Sequence, residues 1–379
     1  MNRKQFLFLV LAVLVLGGAG IALFWQQIAD YRASGARIGA KLLPNFKVAD
    51  VAQIELRDAR SHVTLTRKEN RWVVQERNGY PADFKAISDL IIKLADLKVV
   101  QSETIGESLL PRVELVVPGK GEGAGTQVEL KDTSGKTLAN VVLGRKVLKK
   151  DPGNPLPSAQ DGVPAGRYIR IIDGKDRVVV VSDPLNVAEA KPGRWLDKEF
   201  FKADRIRTLA VDGERGQQWK ITRDVEWGQW KFAGAGDLDA SAAVGAVNAL
   251  GNLTFEDVAL DAKAEDQGAP VTVTAETFDN LVYTLRAAKR KTGEEYLVTV
   301  SVSGEPPPAR KPEKDEKAEE RERRDKDFAE SRKRLEARIA REKGLAQWTY
   351  VVEAKQLQPL LRTRSEMTAQ RKEPVSGKR

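Results

Sequence analysis

The chain states one pattern twice. The stretch "TRKENRWVV", beginning at Thr66, returns as "TRDVEWGQWKF", beginning at Thr222. A repeat of this kind constrains the fold more than composition does, because each copy of a strand, its turn and its returning strand needs the same neighbours to bury the same face. Setting Asp50 against Asp204 extends the match: "ADVAQIELRD" answers "ADRIRTLAVD", and "HVTLTRKENRWVVQE" answers "QWKITRDVEWGQWKF" with a turn two residues longer in the second copy. The period far exceeds the ~20–50 residues of solenoid repeats, so it predicts a duplicated domain.

Each copy continues into a helical segment, "YPADFKAISDLIIKLADLKVV" and then "GDLDASAAVGAVNALGNLTFEDV". Phe84, Ile87, Ile91, Leu94 and Leu97 recur at spacings of three and four, which predicts one apolar helix face. Ala243, Val244, Val247, Leu250 and Leu253 do the same in the second copy. Asp83 and Asp239 stand at the two helix starts, where a short carboxylate accepts from free backbone N–H groups; both read as caps rather than catalytic acids. Antiparallel strands follow: "TQVELKDTSGKTLANVVLGRKV" resembles "VTVTAETFDNLVYTLRAAKRK", and "GRYIRIIDGKDRVVVVSDP" is a hairpin turning at Asp173-Gly174. In the second copy that hairpin is divided between "EEYLVTVSVSG" and "AQWTYVVEAKQLQPLL" by a charged insertion.

The insertion, 306–344, alternates acids and bases densely enough for i,i+4 pairing on a helix, stiffened at its entrance by Pro306 to Pro308. The segment reads first as a solvated, partly frayed helical arm; its large apolar residues, Phe328, Leu335 and Ile339, share one face and are the candidate partner-docking residues of the alternative, an arm that docks a partner helix. A coiled coil is the form expected of this segment.

The N-terminus carries Arg3 and Lys4 and then an uncharged run from Phe6 to Trp25. A helix of about 20 residues at ~1.5 Å per residue covers the ~30 Å hydrocarbon core, and Trp25 falls where an interfacial aromatic belongs. The run predicts an uncleaved, single-pass transmembrane helix contacting the lipid bilayer, with a cytoplasmic amino terminus and the bulk of the chain periplasmic. A cleaved signal is the alternative, since Gly17 to Gly20 are small. The expected class is therefore α+β: the anchor (1–29), a linker (30–45), a first module (46–198), a second module (199–363) and a disordered basic tail (364–379).

Chemistry-bearing motifs are sparse. The net charge of +9 is spread among 54 carboxylates, which argues against nucleic acid as a partner. Cysteine is absent and His62 is the single histidine, so thiolate zinc sites and histidine-dependent triads are excluded. "GKGEGAG" (119–125) precedes a strand rather than a helix, and "SGKT" (134–137) lacks the earlier glycine of a phosphate loop; neither predicts a nucleotide site. No catalytic, cofactor-binding or metal residue is singled out, no cofactor is expected, and the expected answer on catalysis is that the chain is not an enzyme. Trp72, Trp219, Trp227, Trp230 and Trp348 read as core packing before they read as a sugar platform.

With "VADVAQIEL", "RWVV", "YPADFKAISDLIIKLADLKVV", "GRWLDKEFF" and the closing "QWTYVVEAKQLQPLLRTRSEM" in view, the chain resembles the bacterial domain-of-unknown-function 4340 family over most of Phe46 to Leu361. The resemblance implies a membrane-tethered cell-envelope protein associated with ABC-type transport and gliding-motility-like systems, with transporter subunits as partners and no established active site. The expected function is a non-enzymatic accessory or scaffold protein; the alternative is an envelope glycan-binding protein or hydrolase with an unrecognised site.

Overall fold

The computed structural model describes residues 38–369 apart from 104, 150–162, 175, 215, 261–266, 311 and 313–315. The chain divides into two compact units with the boundary after Trp195. The first holds β1 (Gln53–Arg57), β2 (His62–Lys68), β3 (Arg71–Val74), β4 (Tyr80–Pro81), α1 (Phe84–Asp96), β5 (Val99–Glu103), β6 (Thr126–Lys131), β7 (Thr137–Lys149), β8 (Val163–Ile171) and β9 (Arg177–Val181). The second holds β10 (Ile206–Asp212), β11 (Trp219–Thr222), β12 (Lys231–Phe232), α2 (Ala240–Gly251), β13 (Asp257–Ala259), β14 (Val271–Thr277), β15 (Leu281–Lys289) and β16 (Glu295–Gly304). It continues with α3 (Ala318–Lys343), β17 (Thr349–Glu353) and the short α4 (Ala354–Leu357).

The expected α+β class with a transmembrane helix is corrected. The molecule is predominantly two large antiparallel sheets of nine and eight strands, with few helices. Among the described residues no helix is long and apolar enough to cross a membrane. The physical reason is length and charge together: α1 and α2 have 13 and 12 residues, short of the ~20 a bilayer needs, and the 26 residues of α3 are mostly charged. The membrane, single-pass and transmembrane-helix designations have no support in these helices, and the run from Phe6 to Trp25 lies outside the described residues.

The sheet orders are β4-β3-β2-β1-β6-β7-β8-β9-β5 and β12-β11-β10-β14-β15-β16-β17-β13. Apart from β4, each strand of the first has its counterpart in the same place in the second. Register fixes the equivalences residue by residue. Ile54 lies opposite Leu65 and Leu130, as Leu209 lies opposite Ile221 and Ala275. Ile54 therefore corresponds to Leu209, which shifts the alignment of Asp50 with Asp204 by one residue; an irregularity between Ile206 and Thr208 absorbs the shift. Carrying the register outward, Trp72 opposite Arg67 matches Trp230 beside Arg223, and Ala139 opposite Leu130 matches Tyr283 opposite Ala275.

Alternation buries one face of each sheet, as along β14, where Val271, Val273, Ala275 and Thr277 are buried and the residues between them are half-buried. Asp83 accepts from the Lys85 and Ala86 N–H groups, and Asp239 from that of Ala242, so both carboxylates cap helices. The faces differ slightly from the expected stripes. α1 buries Ile87, Leu90, Ile91 and Leu94, each contributing about 1.5–3 kcal/mol, while Phe84 in its first turn is exposed. α2 buries Ala242, Ala243, Ala246 and Leu250 and leaves Val244 outside. Even the closing segments correspond: the Asp83 N–H donates to the Trp195 carbonyl at 2.8 Å and the Asp239 N–H to the Met367 carbonyl at 3.0 Å. Met367 is fully buried and Arg364 stacks over Phe232 at 4.6 Å, so 364–369 pack against the second unit.

Candidate functional site

The two modules differ most at one end of the sheet. In the first, β2 and β3 are joined by Glu69-Asn70, both with positive φ, the two-residue turn that matches strand twist. β6 and β7 are joined at Asp132–Lys136, where the Asp132 carboxylate accepts from the Ser134 and Lys136 N–H groups. The "SGKT" stretch is thus this turn, with Gly135 at φ 84°. In the second module the matching end carries a longer β11–β12 loop, and the entire insertion leaves β16 and returns at β17 beside it.

The loop is braced. The Arg223 guanidinium stacks on the Trp230 ring at 4.8 Å and near Phe278 at 5.7 Å, and its Nε donates to the Ile206 carbonyl at 2.7 Å. Burial pulls the Arg223 pKa below its ordinary value, with Glu226 opposing. Arg205 ties the loop to the next turn, reaching Glu226 at 3.0 Å and Asp279 at 2.5 Å. The Gly228 N–H closes a turn on the Val225 carbonyl at 2.9 Å. From this frame Val225 and Trp227 project outward, 63% and 91% exposed. Trp227 is therefore not a core residue, whereas Trp72 and Trp219 are buried.

The arm α3 is fastened at its C-terminal end by a buried polar lock. Glu342 is 1% exposed; it accepts from the Tyr283 hydroxyl at 2.8 Å and from the Lys202 N–H at 3.0 Å. Burial, and then the Glu342 carboxylate, push the Tyr283 phenol well above its ordinary range. Arg338, one turn earlier, donates to Asp204 at 2.9 Å, and Arg341 pairs with Glu199. Burial opposes the Arg338 charge, but the Asp204 hydrogen bond with Tyr283 and Glu342 close by holds its pKa above the usual value.

Of the docking candidates, Ile339 is buried at this root, so it is spent on the arm's own anchorage; Leu335 and Phe328 are half-buried. Phe328 lines a cleft of about 740 Å³ between the arm and Pro308, Ala309, Arg310 and Pro312. Arg310, reaching Asp325 and Glu316 at 2.7 Å each, and Arg332, donating to the Pro308 carbonyl at 2.9 Å, tie the two sides. Phe328 and Ile339, eleven residues apart on α3, thus differ in burial along the arm, Ile339 at its root and Phe328 further out. Sequence reasoning missed Glu342, Tyr283 and Trp227. Glu342 was detectable in principle, three residues beyond Ile339 and on its face.

Among the described residues, no group of three or more His, Asp or Glu side chains is placed to hold a metal. His62 is exposed, 3.7 Å from Glu76. The "GKGEGAG" loop leads into β6, a strand.

Comparison with known proteins finds no matching family, no matching curated protein and no matching solved structure.

Proposed function

We propose that the chain is a non-enzymatic accessory or scaffold protein of the cell envelope, associated with an ABC-type transport system, whose partner-facing surface is the elaborated end of the second module. One observation carries the interaction reading. Both additions that distinguish the second copy from the first, the lengthened Trp227 loop and the arm, converge on the same end of one sheet. A braced loop holding an exposed tryptophan has the character of an interface anchor, since ordering is already done before the partner arrives. The envelope setting and the transport partner rest on the resemblance alone.

Affinity purification of the full chain from native cell envelopes tests this. Transporter subunits should co-purify with the wild-type chain and be lost on Trp227→Ala combined with Phe328→Ser. Unchanged recovery with that variant would overturn the assignment of the surface. The exposure of Trp227 also suits a sugar-stacking platform; quenching of its fluorescence by soluble peptidoglycan fragments, with no transporter subunit recovered, would favour that reading instead.

A further inference from the structure

We infer that the first module carries a docking cleft for an amphipathic helix of a partner, at the place where the second module holds the root of its own arm. The cleft has a volume of about 440 Å³ and is lined by Leu42, Phe46, Leu138, Ala139, Ile171 and Ile172 among others. That size is within the ~300–1,000 Å³ typical of ligand-taking clefts. Phe46, Leu138 and Ile172 are only half-buried, so the apolar lining is open on one side.

Its position is defined by the duplication. Ala139 is the register equivalent of Tyr283. Phe46, four residues before Asp50, stands where Phe200 stands four residues before Asp204, the two acids being matched upstream of the irregularity between Ile206 and Thr208. In the second module this corner holds the arm: the Tyr283 hydroxyl and the N–H of Lys202, two residues beyond Phe200, grip Glu342, and the Phe201 ring lies 5.8 Å from that of Tyr283. The second module therefore shows what this corner accepts, the last turn of a helix laid against the sheet end with Ile339 and Glu342 facing inward.

The chemistry of the occupant follows from what differs. With alanine in place of tyrosine there is no phenol to satisfy a buried carboxylate, and an acid placed there would pay its desolvation without that partner. The fitting helix carries a large aliphatic side chain at both positions, three residues apart. At the mouth Arg177 is already paired with Asp173 at 2.5 Å, so the cleft selects by apolar shape rather than by net charge. The inference concerns the first module and stands whether or not the second module's elaborated end meets a transporter.

The test uses the full-length chain and a fluorescein-labelled synthetic peptide, 328–343 of this sequence with Glu342→Leu. Anisotropy should show saturable binding below about 1 mM, weakened at least about tenfold by Ala139→Tyr, which fills the cleft. The double variant Leu138→Ser/Ile172→Ser, altering half-exposed rim positions, should do the same with the circular dichroism unchanged. The chain has no cysteine, so Leu138→Cys bearing an environment-sensitive dye reports the cleft alone. Its emission should shift to shorter wavelength on peptide addition. No saturable binding, or binding indifferent to both variants, overturns the inference. So does a dye already in an apolar setting before peptide is added, which would mean that the chain's own residues before 38 fill the cleft. A concentration-dependent dimer abolished by Ala139→Tyr would assign the cleft to a second copy and also overturn it.

Discussion

The first module closes its sheet end with tight turns and leaves an apolar cleft beneath them; the second extends a loop, inserts an arm and fills the same corner with the Tyr283–Glu342 lock. The strand order is common to both. The difference teaches that duplication preserved the parts that make a stable sheet and released its end for elaboration. The loops at a sheet end carry few core contacts, so insertions there cost the fold little.

The largest contrast between the copies should be at the paired tryptophans. Trp72 is 7% exposed and Trp230 is half-buried under Arg223. In urea unfolding, Trp72→Ala should cost about 3–5 kcal/mol, while Trp230→Ala should cost about 1–2 kcal/mol, mostly stacking and partial burial. Equal costs would show that the two hairpins are equally embedded in their cores. Next, Ile339→Ala should cost about 2 kcal/mol, and Phe328→Ala, on the distal arm, less than about 1 kcal/mol. A reversal of that order would place the arm's anchorage at its tip instead of its root.

The polar lock gives a smaller effect with a distinctive pH signature. Tyr283→Phe leaves the buried Glu342 one donor short, a loss of about 1–3 kcal/mol. The folded-state pKa of Tyr283 is raised above its ordinary value of 10.0. A raised pKa means stability that is fully present below the unfolded value and declines as pH rises beyond it. Denaturant midpoints should therefore fall above about pH 10 in the wild type, and this component of the decline should vanish in Tyr283→Phe. The first module offers the internal control, since Ala139 at the matching position has nothing to titrate. The smallest effect belongs to Trp227→Ala, which should change stability by no more than about 0.5 kcal/mol, because the ring makes little contact with the fold.

Much of this organisation is legible in the sequence, and the exceptions have physical causes. The repeated Thr-Arg and tryptophan-led strands expose the duplication because a buried sheet face imposes period two on both copies. The helix caps at Asp83 and Asp239 are legible because capping is local. The match of Asp50 with Asp204 holds as far as Ile206 and slips by one residue beyond it, because the extra residue between Ile206 and Thr208 is invisible in hydrophobic pattern. Phe84 continues the apolar spacing yet lies in the first turn, beyond the edge of the packed surface. The candidate site was least legible. Glu342 is one acid among many in a charged arm, and its partner Tyr283 stands 59 positions earlier on a strand. Only the fold brings them together. Trp227 reads as another strand tryptophan until the longer turn is seen to push it outward.

The central claim is that the tip of the second copy's lengthened β11–β12 loop, and not the matching β2–β3 turn of the first, faces the transport partner. Site-specific photo-crosslinking at equivalent hairpin tips tests it most directly, with a benzophenone amino acid placed at Trp227 in one chain and at Asn70 in another. In intact envelopes the account predicts a discrete adduct containing a transporter subunit from position 227 and none from position 70. The same adduct from both positions, or from position 70 alone, would contradict it.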